Sequence, residues 1–306
     1  MTDQVARSYA CCTAIARRAA SNFYLSFYLL PRQQRQAMCA LYAFLRRTDD
    51  VGDSPDPVAA RRSALCGWRS ALEAALAGRF DDPLMPALMD TVARYRIPPR
   101  HLFEVIDGVQ MDLTIGRYAT FAELEHYCHH VASAVGLACI RIWGFHSDEA
   151  LPAARACGVA FQLTNILRDL GEDAARGRIY LPEEDLERFG YRADELLAGM
   201  RDDRFRRLIE FEVDRAESCY RQAAALQQWL SPSGRRVFGA MFTTYERLLH
   251  EIARREGDVF TRRIRLSRWQ RWGIATRWLL TRPVLKGGLA PDRAADATPA
   301  NGHRPK

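Results

Sequence analysis

The sequence feature that most restricts the fold is a polar stripe on a helix whose other faces are apolar. At about 100° per residue, four polar side chains fall within an arc of roughly 80°, namely Gln162, Asn165, Asp169 and Asp173. The rest of residues 159–167 is apolar apart from one threonine. Burying such a stripe without partners would cost several kcal/mol. The helix must therefore bring its polar side chains to an internal cavity or to other polar groups.

A second stripe lies some 120 residues earlier in the chain. Tyr42, Arg46, Asp49 and Asp53 share one helix face, and Asp50 lies to its side. Carboxylates four residues apart repel each other, so the pair indicates either a solvated helix end with arginine partners or a bound cation. Mg²⁺ prefers one or two carboxylates together with substrate phosphates and water. Because the pattern occurs twice, we expect the stripes to face each other across a cavity that holds two or three Mg²⁺ ions and a diphosphate.

The composition favours helices, since 44 Ala and 32 Leu stand against 13 Val and 12 Ile. We expect an all-α protein with one helical-bundle domain over residues 1–286 and a disordered tail over 287–306. Periodicity predicts helices, and an irregular loop is expected over 174–200. The predicted helices cover about 5–28, 33–51, 58–78, 83–95, 99–115, 120–144, 148–172, 201–230 and 234–256.

Other features restrict the location and partners. Forty-two of the 44 basic residues are Arg, and the eight cysteines form no CxxC pair. Residues 1–20 contain no apolar run that resembles a signal peptide, and about 18 apolar residues never follow one another without a charge. We expect a cytoplasmic protein without a nucleic-acid partner. Residues 269–286 interleave Trp and Leu with Arg, which suits an interfacial helix on anionic lipid and equally a helix packed on the protein body. A peripheral attachment to the inner face of a membrane is therefore left open.

Six segments together resemble the squalene/phytoene synthase family of head-to-head prenyl synthases. They are SNFYLSFYLLP (21–31), YAFLRRTDDVGD (42–53), YCHHVASAVG (127–136), QLTNILRDLGEDAARGRIYLP (162–182), YERLLHEI (245–252) and DVFTRRIRL (258–266). The resemblance implies an all-α isoprenoid-synthase fold around a central cavity. It also implies Mg²⁺-assisted condensation of two identical allylic diphosphates through a cyclopropylcarbinyl diphosphate.

The resemblance assigns roles by position. It implies that the metal ligands are Asp49, Asp53, Asp169 and Asp173, with Asn165 among or beside them. It implies that the diphosphate is bound by Arg46, Gln162, Arg168 and Arg263, where a shift of one residue would exchange Arg263 for Arg262. Tyr42 and Tyr245 would line the reaction centre, and Phe23 and Phe27 would contact substrate. His129 stands where many relatives carry an aromatic hydroxyl; it would donate to phosphate or accept a proton, or would be a packed or solvated histidine.

Several functional alternatives remain at this stage. Asp49-Asp50-Val51-Gly52-Asp53 also reads as the DDxxD of head-to-tail elongases and terpene cyclases, but the second cluster matches the head-to-head pattern. A non-catalytic scaffold would not need four intact aspartates. The HVASAVG and GDVFTRR segments resemble those of bacterial squalene and hopanoid pathway enzymes. This resemblance favours two farnesyl diphosphates and a squalene-type C30 product, with phytoene synthesis from two geranylgeranyl diphosphates as the alternative. Use of NADPH is left open, because a missing GxGxxG does not decide it.

Overall fold

A computed structural model describes residues 2–19, 22–261, 263–281, 284–285 and 287. Among these residues there are helices and no strands, with one isolated bridge between Phe145 and Leu230. The α-helices are α1 (Asp3–Arg18), α2 (Asn22–Ser26), α3 (Arg32–Gly52), α4 (Val58–Leu76), α5 (Met85–Tyr95), α6 (Arg100–Asp112), α7 (Phe121–Cys128), α8 (Ala134–Trp143), α9 (Ala150–Ala175), α10 (Glu183–Arg188), α11 (Ala193–Leu197), α12 (Asp203–Ala224), α13 (Leu226–Trp229), α14 (Pro232–Arg254) and α15 (Arg268–Leu280). The prediction of an all-α fold is confirmed.

Some predicted boundaries are wrong. The expected loop over 174–200 contains α10 and α11, whose first turns carry acidic residues that suit a helix N-terminus. The helix predicted over 5–28 is divided into α1, α2 and a 3₁₀ turn at Phe27–Leu29. Between α7 and α8 a π-helical turn, His129–Ser133, replaces regular α-helix. The tail is described only at Gly287, so its predicted disorder lies outside the described residues.

The helices that carry the two stripes are central to the packing. Helix α9 packs against α8, α12, α14 and the π turn, and α3 packs against α1, α5, α6 and α8. Glycine permits the closest approaches. A Cβ on Gly158 would overlap the Ser133 backbone, and one on Gly52 would overlap a Val109 methyl. The glycine inside the first DxxxD is thus explained by packing of α3 on α6.

Helix α15 covers the outside of α14. The Trp278 ring lies over Gly239, where a Cβ would overlap it, and its indole nitrogen donates to Thr243 Oγ1 at 3.1 Å. Ile274 and Trp278 are buried with Leu29 and Ala240 in a small separate apolar cluster. In the part of the chain that the structure describes, no helix is long and apolar enough to cross a membrane.

Candidate active site

A cavity of about 420 Å³ lies between α3, α6, α8, α9 and α14. Its polar end is lined by Tyr42, Arg46, Asp49, Asp112, Tyr127, Gln162, Asn165 and Tyr245. Its apolar part is lined by side chains that include Phe27, Met38, Leu41, Ala154, Cys157, Trp143, Leu226 and Phe238. In the sequence of both α3 and α9, the residues that line the apolar part of the cavity come before those that line its polar end. The cavity therefore suits a molecule that has a polar head and an apolar tail.

The first stripe reaches this cavity from α3. Tyr42, Arg46 and Asp49 line it, and Asp53 follows as the exposed C-terminal cap of the helix, its amide donating to the Asp49 carbonyl at 2.8 Å. Arg46 pairs with Asp50 at 2.7 Å, to the side of the stripe. The two stripe carboxylates are therefore left without an arginine partner of their own on this helix.

The electrostatics of Asp49 reflect this arrangement. Solvent reaches its carboxylate through the cavity, although protein surrounds it on the other sides. Desolvation by the surrounding protein is the main reason that the pKa of Asp49 is raised, and repulsion from Asp53 adds to it. Arg46 acts in the opposite direction. A cation at this point would stabilise the charged carboxylate.

The second stripe reaches the same cavity from α9. Gln162 and Asn165 line it, and the Asn165 amide donates to Gln162 Oε1 at 3.3 Å. Within the described residues the amide oxygen of Asn165 is buried and has no hydrogen-bond partner. Such an atom is normally satisfied, so this oxygen is available to a ligand.

Asp169 lies one turn further along α9 and is held by two guanidinium groups. Arg168 donates to it through Nε at 2.8 Å and through Nη2, and Arg263 Nη2 lies 2.9 Å from its Oδ1. Arg263 also contacts Glu172 at 3.1 Å. Arg263 therefore reaches the second cluster from a separate segment of the chain. Arg262 lies outside the described residues.

Asp173 completes the second stripe. Desolvation, followed by repulsion from Asp169, raises the pKa of Asp173 to about 6, while Arg178 and Arg176 oppose this rise. Like Asp49, this side chain is in surroundings that disfavour an uncompensated negative charge.

Aromatic side chains form one wall beside the polar end. The Tyr245 ring stacks on Phe161 with centroids 4.3 Å apart, and Phe27 meets the Tyr42 ring edge-on at 6.3 Å. Burial raises the pKa of Tyr245, and hydrogen bonds with Asn165 and Arg168 act in the opposite direction. Phe23 lies on α2, and its side chain is outside what the structure describes.

His129 does not line the cavity. Its Nε2 lies 3.8 Å from Glu104 Oε1, and Glu104 also pairs with His101 Nδ1 at 2.8 Å. Tyr127 and Val131 of the same segment line the cavity, and a residue two positions after Tyr127 points to the opposite side of a helix. The structure thus brings Tyr127, rather than His129, to the other predicted side chains.

A further carboxylate, Asp112, was missed by the sequence analysis. It ends α6, lines the cavity, and accepts hydrogen bonds from Tyr127 at 3.1 Å and from Tyr180 at 2.8 Å. Its negative charge acts on both clusters, since it contributes to the raised pKa of Asp49 and of Asp173. The only sequence signal was Tyr180 inside the GRIYLP motif.

The donor set fits Mg²⁺ when substrate completes the coordination. Within the described residues, no three His, Cys, Asp or Glu side chains are close enough to hold a metal by themselves. Mg²⁺ needs only one or two carboxylates when phosphates and water supply the remaining ligands. The buried amide oxygen of Asn165 and the carboxylates of both stripes are the hard oxygen donors that it prefers.

The helical fold, with a cavity that has carboxylates at one end and apolar side chains at the other, is that of an isoprenoid synthase. Comparisons with known proteins agree. The squalene/phytoene synthase family model matches residues 16–270. The chain is 38% identical over 279 residues to 15-cis-phytoene synthase of Synechococcus elongatus, covering 87% of this chain and 91% of that protein. It is 38% identical over 277 residues to phytoene synthase of Arthrospira platensis, covering 86% and 90%.

Solved structures give the same result. Squalene synthase HpnC of Alicyclobacillus acidocaldarius superposes with a TM-score of 0.79 at 30% identity, covering 84% of this chain and 97% of that one. A dehydrosqualene synthase superposes with a TM-score of 0.82 at 27% identity, covering 90% and 96%. The chain belongs to the squalene/phytoene synthase family. It is a prenyltransferase of a family that uses a divalent metal to ionise a prenyl diphosphate.

The sequence-based preference for farnesyl diphosphate is wrong. Relatives that are 34–38% identical over most of the chain are phytoene synthases. The physical reason for the error is that chain length depends on the depth of the cavity. The HVASAVG segment lines its side through Val131, Ala132, Val135 and Gly136, and none of the described residues of GDVFTRR lines it. Neither segment therefore indicates how far the apolar end of the cavity lies from its polar end.

Proposed function

We propose that the protein condenses two molecules of geranylgeranyl diphosphate head to head to give phytoene. The observation that carries this proposal is the identity of 38% over 87% of the chain to a 15-cis-phytoene synthase. The cavity supports it, because a diphosphate fits among Arg46, Gln162 and Asn165 at the polar end and a prenyl chain fits along the apolar wall.

The chain's own residues divide the work between binding and ionisation. Two or three Mg²⁺ ions, when bound, would neutralise the diphosphate so that it leaves as pyrophosphate. Asp49 and Asp53 on one side, and Asn165, Asp169 and Asp173 on the other, would hold these ions.

The guanidinium groups would supply further positive charge. Arg46 at the cavity wall and Arg168 and Arg263 beside Asp169 would bind the phosphate oxygens. Two of them now neutralise Asp169, so a cation at that carboxylate would release them toward phosphate.

Aromatic groups would protect the reacting carbons. The stacked rings of Tyr245 and Phe161, together with Phe27 and Tyr42, can face an allylic cation and exclude water. The first condensation forms a bond from the cationic C1 of one substrate to the double bond of the other, and a proton leaves as the cyclopropane closes. After the second diphosphate departs and the skeleton rearranges, loss of another proton gives the C40 hydrocarbon. This balance requires no hydride, so we propose no role for NADPH.

The product leaves the enzyme as a water-insoluble hydrocarbon. We therefore also propose that the protein works at a lipid surface as a peripheral enzyme.

The direct test is an incubation of purified protein with Mg²⁺ and geranylgeranyl or farnesyl diphosphate, with and without NADPH, followed by mass analysis. We expect a C40 hydrocarbon from the C20 substrate that does not depend on NADPH. A C30 product as the main outcome, or only longer linear diphosphates, would contradict the proposal.

A further inference from the structure

The outward face of α15 carries an apolar stripe that nothing in the fold covers. Trp269, Trp272, Leu279 and Leu280 fall within an arc of roughly 100° opposite the buried Ile274. Their exposed fractions are 85%, 52%, 53% and 76%. The helix is therefore apolar on two faces, of which only the inner one packs against α14.

The segment that contains α15 is also strongly basic. Residues 259–290 include eight Arg or Lys and no Asp or Glu. Among the described side chains, Arg277 is exposed on α15 beside the stripe, and Arg265 is exposed in the segment just before the helix. An acid-free segment of this length complements a surface of negative charge.

A second cavity borders the C-terminal end of this helix. It encloses about 550 Å³, and Trp278, Val284 and Leu285 form its apolar wall. Arg221, Arg235 and Arg236 lie on the other side. Guanidinium groups opposite an apolar wall suit a ligand that joins a phosphate to a hydrocarbon.

We propose that the outer stripe of α15 docks on an anionic phospholipid bilayer and that the arginine-lined cavity receives a lipid phosphate. Tryptophan rings favour the interface between headgroups and acyl chains because one part of the ring is apolar and its N–H is polar. Arginines beside them gain from the negative potential of anionic lipid. An exposed apolar face together with neighbouring basic side chains is the combination that holds a helix in the plane of the membrane interface.

The position of α15 relative to the reaction cavity favours lipid over a second copy of the chain. A narrow crevice beneath α15 is lined by Leu25, Ile274 and Ala275, and it shares Met241 and Tyr245 with the lining of the reaction cavity. The helix that would dock on the bilayer therefore also borders the wall of the reaction cavity, which places lipid close to the hydrocarbon product. This step alone rests on the proposed function.

The test measures binding of the full chain to vesicles without any substrate. We expect co-sedimentation with vesicles of equal parts phosphatidylcholine and phosphatidylglycerol, little with phosphatidylcholine alone, and weakening as salt is raised. The double variant Trp269→Ser/Trp272→Ser should lower the bound fraction at least about tenfold. Because both rings are exposed, circular dichroism should be unchanged. Arg221→Gln/Arg236→Gln should reduce the preference for anionic vesicles.

A matched control removes two exposed apolar side chains elsewhere. Val58→Gln/Leu76→Gln acts on α4, which packs on α3, α5 and α6, whereas α15 packs on α14 and α2. This control should bind vesicles like the parent protein. Equal binding by the tryptophan variant would overturn the proposal. So would a dimer, seen by sedimentation velocity, that the tryptophan variant abolishes while vesicle binding is absent. Neither result bears on turnover, so the proposed condensation of geranylgeranyl diphosphate would stand while the proposed lipid attachment through α15 would fall.

Discussion

Asp112 differs from the four stripe aspartates because two tyrosine hydroxyl groups hold its carboxylate. Tyr127 and Tyr180 each donate to one of its oxygens, while the carboxylate itself borders the cavity. Donors of this kind orient a carboxylate toward a cation without removing its charge. We therefore assign it a role in supporting the metal cluster.

The variant Asp112→Asn tests this assignment because it keeps the shape and removes the charge. We expect turnover to fall about 10–100-fold and the Mg²⁺ requirement to rise. Calorimetric titration with Mg²⁺ in the presence of inorganic diphosphate should show weaker binding. Asp107→Asn is the control on the same helix, since that side chain is 45% exposed and pairs with Arg69. Unchanged Mg²⁺ binding in Asp112→Asn would refute the role.

Asp49 and Asp50 are adjacent in sequence but have different environments. Asp49 lies on the stripe and lines the cavity, whereas Asp50 pairs with Arg46 to its side. Asp49→Asn should lower turnover by several orders of magnitude without lowering the thermal unfolding midpoint, because it removes repulsion with Asp53. Asp50→Asn should cost little in either measurement. The reverse ranking of the two variants would favour a DDxxD mode of binding over the DxxxD stripe.

At the scale of elements, α9 depends on close packing against the π turn. A methyl group on Gly158 would overlap the backbone of Ser133. Gly158→Ala should therefore lower the free energy of unfolding by about 1–3 kcal/mol in chemical denaturation. Gly67→Ala on α4 is the matched control, because nothing lies within 4 Å of its added methyl. That variant should raise stability by about 0.5–1 kcal/mol. Equal effects would mean that the contact does not restrict α9.

The elements also show how far the sequence predicts the structure. The spacing of 100° per residue correctly predicted that Tyr42, Arg46 and Asp49 share one face of α3. It also correctly predicted that Gln162 and Asn165 share one face of α9. Periodicity could not detect the π turn, since one inserted residue leaves the apolar pattern nearly intact. His129 lies away from the cavity because it is two positions after Tyr127, which lines the cavity, and its ring lies beside Glu104 instead.

The rest of the site could not be predicted from local patterns, because it depends on contacts between residues that are far apart in the sequence. No acidic residue at helical spacing from Asp112 lines the cavity. Asp112 is recognised only through its hydrogen bond from Tyr180, which follows α9 in the chain. Arg263 likewise reaches Asp169 across about ninety residues of sequence, and only the family resemblance pointed to it. Contacts of this kind depend on the whole arrangement of helices and leave no local signal.

At the scale of the whole molecule, cavity depth determines which substrate fits. Ala154 and Asn165 both line the cavity from α9 and are eleven residues apart. They are therefore separated by about 16 Å along the helix axis. Ala154 is 1% exposed and lies at the apolar end, where the tail of a long prenyl chain would reach. Its small side chain leaves room that a larger one would fill.

The variant Ala154→Leu should shorten the cavity from this end. We expect turnover of geranylgeranyl diphosphate to fall at least about tenfold, while turnover of farnesyl diphosphate, which ends one isoprene unit earlier, changes much less. The ratio of the two rates, measured by mass analysis of products from competing substrates, separates this effect from misfolding, which would lower both rates together. A ratio that does not change would show that Ala154 lies away from the bound chain. Chain length would then be determined by the side chains from α13 and α14 at the same end, Leu226 and Phe238.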